Sequence, residues 1–178
     1  MYQSAADALT LSPPRFGATV GDPAAGERLY GRDVAGDYGV VATIRRRGTN
    51  RYEWTCTVHQ RVRGIWDEEA DHENSHPWPS YPGPYRSQGS GFGFLGHVGW
   101  TSNTDTGEGY VVQGGFVGQD VAELEVVSSQ QRHLVRFDIT TGAFVAIALV
   151  IEPSHVALIA RDKNGEVVDR SEYEARDE

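Results

Sequence analysis

Ala143-Phe144-Val145-Ala146-Ile147-Ala148-Leu149-Val150-Ile151 is a nine-residue apolar run, and its reading decides the fold. A helix needs ~20 apolar residues to cross a bilayer, so the run is too short to span one. Val145, Ile147, Val150 and Ile151 are branched at Cβ, and Pro153 follows. Branching at Cβ suits the pleated surface of a sheet better than a helix. Successive strand side chains point to opposite faces, so a strand apolar at every position has to be covered on both. The run predicts a central strand over 143–151.

The flanks support the same reading. Residues 156–161 and 166–170 bracket Asn164-Gly165, a strong short hairpin signal. Residues 121–127 alternate, with Ala122, Leu124 and Val126 against Glu123 and Glu125. Residues 134–139 alternate too, with Val135, Phe137 and Ile139 on one side and Arg136 and Asp138 on the other, before a turn at Thr141-Gly142. Residues 110–117 read as a strand interrupted by Gly114-Gly115. Farther back, 38–44 and 52–62 flank Gly48-Thr49-Asn50 and predict another hairpin, with Trp54, Cys56 and Val58 on one face. Phe137, Phe144, Ile147, Leu149, Leu158 and Ile159 are the expected core. The fold class is all-β, an antiparallel β-sandwich or small barrel.

The pattern over 110–173, and above all Val156-Ala157-Leu158-Ile159-Ala160-Arg161-Asp162-Lys163-Asn164-Gly165-Glu166-Val167-Val168, resembles bacterial immunoglobulin-like and carboxypeptidase-regulatory-like β-sandwich modules. That resemblance implies a module that binds, spaces or stabilises. It carries over no catalytic residue.

Composition narrows the function. With 178 residues one core suffices. Weak periodicity over 1–36, broken by Pro13-Pro14, reads as an N-terminal arm with a short helix over 4–11, and 37–178 as a single β-rich domain. Acidic residues outnumber basic ones, 25 to 16, a net charge of −9 that repels phosphate backbones. Nucleic acid is therefore not an expected partner. The one cysteine, Cys56, lies in a strand-like run and is read as a buried, inert thiol. No signal peptide is visible in 1–15, so the expected location is cytoplasmic or within a particle assembled inside a cell.

Residues 66–109 read as a long Gly/Pro/aromatic loop, with prolines at 77, 79, 82 and 84 and glycines at 89, 91, 93, 96 and 99. Long loops in compact domains are usually functional or disordered, and disorder is poor in aromatics. Trp66, Trp78, Tyr81, Tyr85 and Trp100 supply broad rigid faces, which suit anchoring a protein partner or stacking on a sugar or other small ligand. Within the same segment His72, His76, Asp71 and Glu73 form the one cluster with the donor chemistry for a divalent metal such as zinc. His72 and His76 would share a helix face at i, i+4, but Pro77 biases His76 away from helix, and a solvated acidic loop is the preferred account. Gly91-Phe92-Gly93-Phe94-Leu95-Gly96 matches a dinucleotide-binding spacing in the wrong context, following Pro/Ser-rich sequence and leading into turn-rich sequence. With no nucleophile elbow either, no cofactor is expected. The expectation is a non-enzymatic binding or structural module for a protein partner or larger assembly. The alternatives are a carbohydrate- or small-ligand-binding domain and a metal-dependent hydrolase at 67–76.

Overall fold

The computed structural model describes residues 27–47, 51–74, 89, 91–103, 108–151 and 154–175, with side chains at 31–43, 55–66, 89, 91, 108–151 and 155–173. All regular structure among them is β-strand. In chain order these are β1 (Glu27–Ala35), β2 (Tyr38–Arg47), β3 (Arg51–Val62), β4 (Ile65–Asn74), β5 (Phe92–Asn103), β6 (Glu108–Val117), β7 (Glu123–Val127), β8 (Arg132–Leu134), β9 (Ala143–Ile151), β10 (Ser154–Arg161) and β11 (Val167–Ala175). They pair antiparallel in three sheets, ordered β1-β2-β3-β4, β5-β6-β9 and β11-β10-β7-β8. No helix among the described residues is long and apolar enough to cross a membrane.

The sheet β5-β6-β9 holds the structure together because it contributes to two cores. Tyr110, Val112 and Phe116 of β6 and Ala143, Val145 and Ile147 of β9 join Val40, Ala42, Cys56 and Val58 from the first sheet. The intervening residues, Val111 and Val117 of β6 and Phe144, Ala146, Ala148 and Val150 of β9, join Leu124, Val126, Val156, Leu158 and Ala160 from the third sheet. Odd and even positions of one strand thus feed different cores, as the apolar run requires. In pairing, however, β6 is the centre and β9 lies at the margin of its sheet. Phe144, Ile147, Leu158 and Ile159 are buried, while Leu149 and Phe137 are partly buried against the cores.

Three expectations need correction. Residues 27–35 belong to the domain rather than to an arm, since β1 runs in register with β2 from Glu27↔Arg45 to Ala35↔Tyr38. The helix over 4–11 lies outside the described residues. Residues 66–109 are not one loop, because β4 takes 66–74 and β5 takes 92–103, while 75–88, 90 and 104–107 lie outside the described residues. The β3–β4 turn at Arg63-Gly64 puts both residues at positive φ, 53° and 83°. That is the two-residue turn whose twist matches paired strands, so β4 is zipped onto β3 from Ile65 onward despite its charge. The glycines of 93–99 sit in β5, whose pairing with β6 shifts register between Phe94 and Gly96 and again between Val98 and Thr101. Glycines inside a strand commonly mark such irregularities.

Residues 134–139, lastly, are not a strand. β8 stops at Leu134, leaving an isolated bridge Phe137↔Phe144. Asp138 is the cause: its Oδ1 accepts from Thr140 N (2.9 Å), Thr141 N (2.8 Å) and Thr141 Oγ1 (3.1 Å). A carboxylate that satisfies local backbone donors offers the chain an alternative to a ladder.

The β10–β11 hairpin is as expected, closed by Asp162. Its Oδ1 accepts from Asn164 N (2.8 Å) and Glu166 N (2.9 Å), and Asn164 Nδ2 donates to its Oδ2 (3.1 Å). Lost hydration raises the Asp162 pKa, but hydrogen bonds from Glu166, Asn164 and Gly165 more than offset that and hold it below its ordinary 3.8. A depressed folded-state pKa gives stability that is complete above the unfolded value and lost as pH falls through the folded one. The melting temperature of Asp162→Asn should therefore fall less steeply than that of wild type on acidification below pH 3.8, and parallel acid limbs would contradict this. For the core, Phe144→Ala should cost on the order of 3–5 kcal/mol in urea denaturation, and a loss under about 1 kcal/mol would mean that β9 is not the shared wall of two cores.

Candidate functional site

Among the described residues β9 has a ladder partner on one side only, and the Phe137↔Phe144 bridge and several side chains satisfy part of the other. Asp33 of β1 accepts from Ile147 N at 2.9 Å through Oδ2, and the same oxygen accepts from His133 Nε2 of β8 at 2.8 Å. Ser128 Oγ donates to Leu149 O (2.6 Å) and Gln131 Nε2 to Ile147 O (3.4 Å). One carboxylate therefore ties all three sheets. A Cβ on Gly31 would meet Val145 Cγ1 at 3.1 Å and Val145 N at 3.2 Å, so glycine lets β1 come this close.

The approach of β1 to the β8 region frames a cleft of about 830 Å³. Gly31 and Arg32 come from β1, Ala122 from just before β7, Glu123 and Leu124 from its start, and Leu134 to Ile139 with Ala143 from the opposite wall. Leu134 is 59% exposed and Ile139 81%. Asp138 is engaged by its turn, and Glu123 stands opposite Arg161 in the β7–β10 register. Arg136 is exposed and has no ion pair among the described residues.

A second feature is the tip of the β3–β4 hairpin. Val62 and Ile65, a cross-strand pair, are 50% and 72% exposed. The next pair is Arg61↔Trp66, with the Arg61 guanidinium 5.3 Å above the half-buried indole ring. Arg61 also donates to Asp37 Oδ1 from Nη2 (3.0 Å) and Nε (3.2 Å), and its backbone N–H donates to Asp37 O (2.6 Å). The hairpin tip is thereby clamped to the β1–β2 turn. Beside that turn lies a pocket of about 420 Å³ lined by Asp37, Tyr38, Gln60, Glu108, Gln130 and Leu149, among others.

Of the expected aromatic anchors, Trp66 stands at the hairpin tip. Trp100 falls in β5, but its side chain lies outside the described residues, as do Trp78, Tyr81 and Tyr85 entirely. Asp71, His72 and Glu73 fall in β4, opposite Thr57, Cys56 and Thr55. At Asp71, His72 and Glu73 a strand stands where an acidic loop was expected. The side chains of Asp71, His72 and Glu73, and all of His76, lie outside the described residues. The cleft was missed by sequence reasoning. Its walls are about a hundred residues apart in the chain, and the one local signal, Leu134 to Ile139, has the alternation of a strand.

The chain matches no family model and no curated protein.

Removing the Asp33 carboxylate leaves Ile147 N–H without its acceptor, so Asp33→Ala should cost about 1–3 kcal/mol in denaturant unfolding. His133→Ala, which keeps that acceptor, should cost less, and the two losses should not add. A loss from Asp33→Ala no larger than that from His133→Ala would mean the β9 contact adds nothing.

Proposed function

We propose that this chain is a non-enzymatic binding module that engages a protein partner, and that the β3–β4 hairpin tip makes the contact. The observation that carries this is the adjacent exposure of Val62 and Ile65 beside the Arg61–Trp66 stack. Single exposed aliphatics are ordinary on a protein surface. Two that face each other across a tight turn, next to an indole and a guanidinium, have the composition of an interface centre, where Trp, Tyr and Arg are enriched and apolar surface leaves water on contact. The Arg61–Asp37 clamp and the tight turn hold the tip in one conformation, which lowers the ordering cost of binding. The resemblance of 156–168 to immunoglobulin-like and carboxypeptidase-regulatory-like modules supports the same reading, since such modules mostly bind, space or stabilise. Its setting is the interior of a cell or a particle assembled there.

A photo-crosslinking amino acid at position 65, with one at exposed Val167 as control, tests this in cells that produce the protein natively. Position 65 should give a discrete adduct that Val62→Asp abolishes, with the melting temperature within about 2 °C of wild type because surface changes typically move stability by no more than ~0.5 kcal/mol. No adduct, or the same adducts from both positions, would overturn the proposal.

A further inference from the structure

We propose that the cleft between β1 and the Leu134 to Ile139 wall is a second binding site, for a small aliphatic molecule bearing a carboxylate. It shares no lining residue with the hairpin tip or the pocket beside it, so it stands independently of the partner-binding reading.

Shape and lining favour a small apolar ligand. About 830 Å³ falls within the range of small-molecule sites. The walls are mainly aliphatic, through Ala122, Leu124, Leu134, Val135, Ile139 and Ala143, with Phe137 as their one aromatic ring. A single ring is a poor platform for sugar stacking, which weighs against a carbohydrate. An extended peptide held by strand addition needs a long open sheet edge. Two edges border the cleft: β8, three residues long with His133 already bonded to Asp33, and β1, which lies against β9 at Gly31 and through the Asp33–Ile147 bond. The 59% and 81% exposure of Leu134 and Ile139 gives two large aliphatic side chains that an apolar ligand would cover.

Charge supplies the head group. The cleft is lined by two guanidiniums, Arg32 and Arg136, and two carboxylates, Asp138 and Glu123. Asp138 Oδ1 takes three donors within its own turn. Glu123 stands opposite Arg161 in the strand register, but the Arg161 guanidinium goes to Glu125 (3.9 Å) and to Gly165 O (3.1 Å), so Glu123 keeps its own charge in the cleft lining. Arg136, exposed and without an ion pair among the described residues, is the cation open to a ligand, and a guanidinium pairs best with a planar bidentate anion such as a carboxylate. The walls are preformed, because the Asp33 bonds to His133 and to Ile147 fix β1 against β8 and β9.

Methyl and amide NMR titrations with octanoate and with 1-octanol, equal in chain length and different in head group, test the proposal on the full chain. Octanoate should shift Leu124, Val135 and Ala143 saturably and bind about tenfold more tightly than octanol, as expected of a hydrogen bond to a charged group. Arg136→Gln should bring octanoate down to the octanol level. Ala122→Phe, a change at an exposed lining position, should weaken both while the spectrum of the β10–β11 hairpin stays intact. Saturation by neither compound would overturn the site. Equal affinity of the two for wild type would overturn the carboxylate. Shifts confined to Tyr38, Gln60 and Leu149 would place binding in the other pocket and overturn the assignment, as would saturation by acetyl-Leu-Glu-amide but not by octanoate.

Discussion

β9 is apolar on both faces and, among the described residues, laddered on one side only, and much of the molecule follows from how its second side is satisfied. A buried N–H without an acceptor costs about as much as a lost hydrogen bond and its desolvation. Asp33 gives Ile147 N–H an acceptor at 2.9 Å, while Ser128 and Gln131 donate to the Leu149 and Ile147 carbonyls. Because Asp33 also holds His133, satisfying that margin draws β1 and β8 to the same place. The cleft is the gap their approach leaves. Gly31 belongs to the same constraint, since β1 could not lie so near Val145 with a side chain at that position.

What was legible in the sequence follows the range of the interactions. The nine apolar residues of β9 state their burial outright, and its bounds were read correctly because Gly142 and Pro153 punctuate them. The β2–β3 and β10–β11 hairpins were legible because their turns carry local signals. β4 was not. Its Asp67 to Glu73 stretch has little strand propensity, and only the Arg63-Gly64 turn, which forces a non-glycine residue to a φ of 53°, commits it to pairing. A positive φ at arginine leaves no trace in composition. Residues 134–139 failed the opposite way. They have the alternation of a strand, but Asp138 bonds the backbone ahead of it and turns the chain.

The candidate sites divide along the same line. Trp66 was legible as an aromatic, while its setting, an indole under Arg61 with Arg61 clamped to Asp37, depends on pairing across two hairpins. The cleft was illegible because Gly31, Leu124 and Phe137 acquire a common purpose only after three sheets have assembled. The tip and the cleft share no lining residue.

The Asp33–Ile147 bond spans 114 residues, and this separation bears on how the chain reaches its structure. Contacts so distant in sequence are slow to form, because loop-closure entropy is lost before they reward it. During synthesis β1 to β4 can pair before β9 has left the ribosome, so the strand that will close the β9 margin is already in place when β9 arrives. The reverse order would be hazardous. An apolar nine-residue strand with an open side is a template for cross-β stacking. By filling part of that side, Asp33 leaves less of it open to such pairing. The domain's yield from refolding, where the order of synthesis is lost, should depend on it more steeply than its equilibrium stability does.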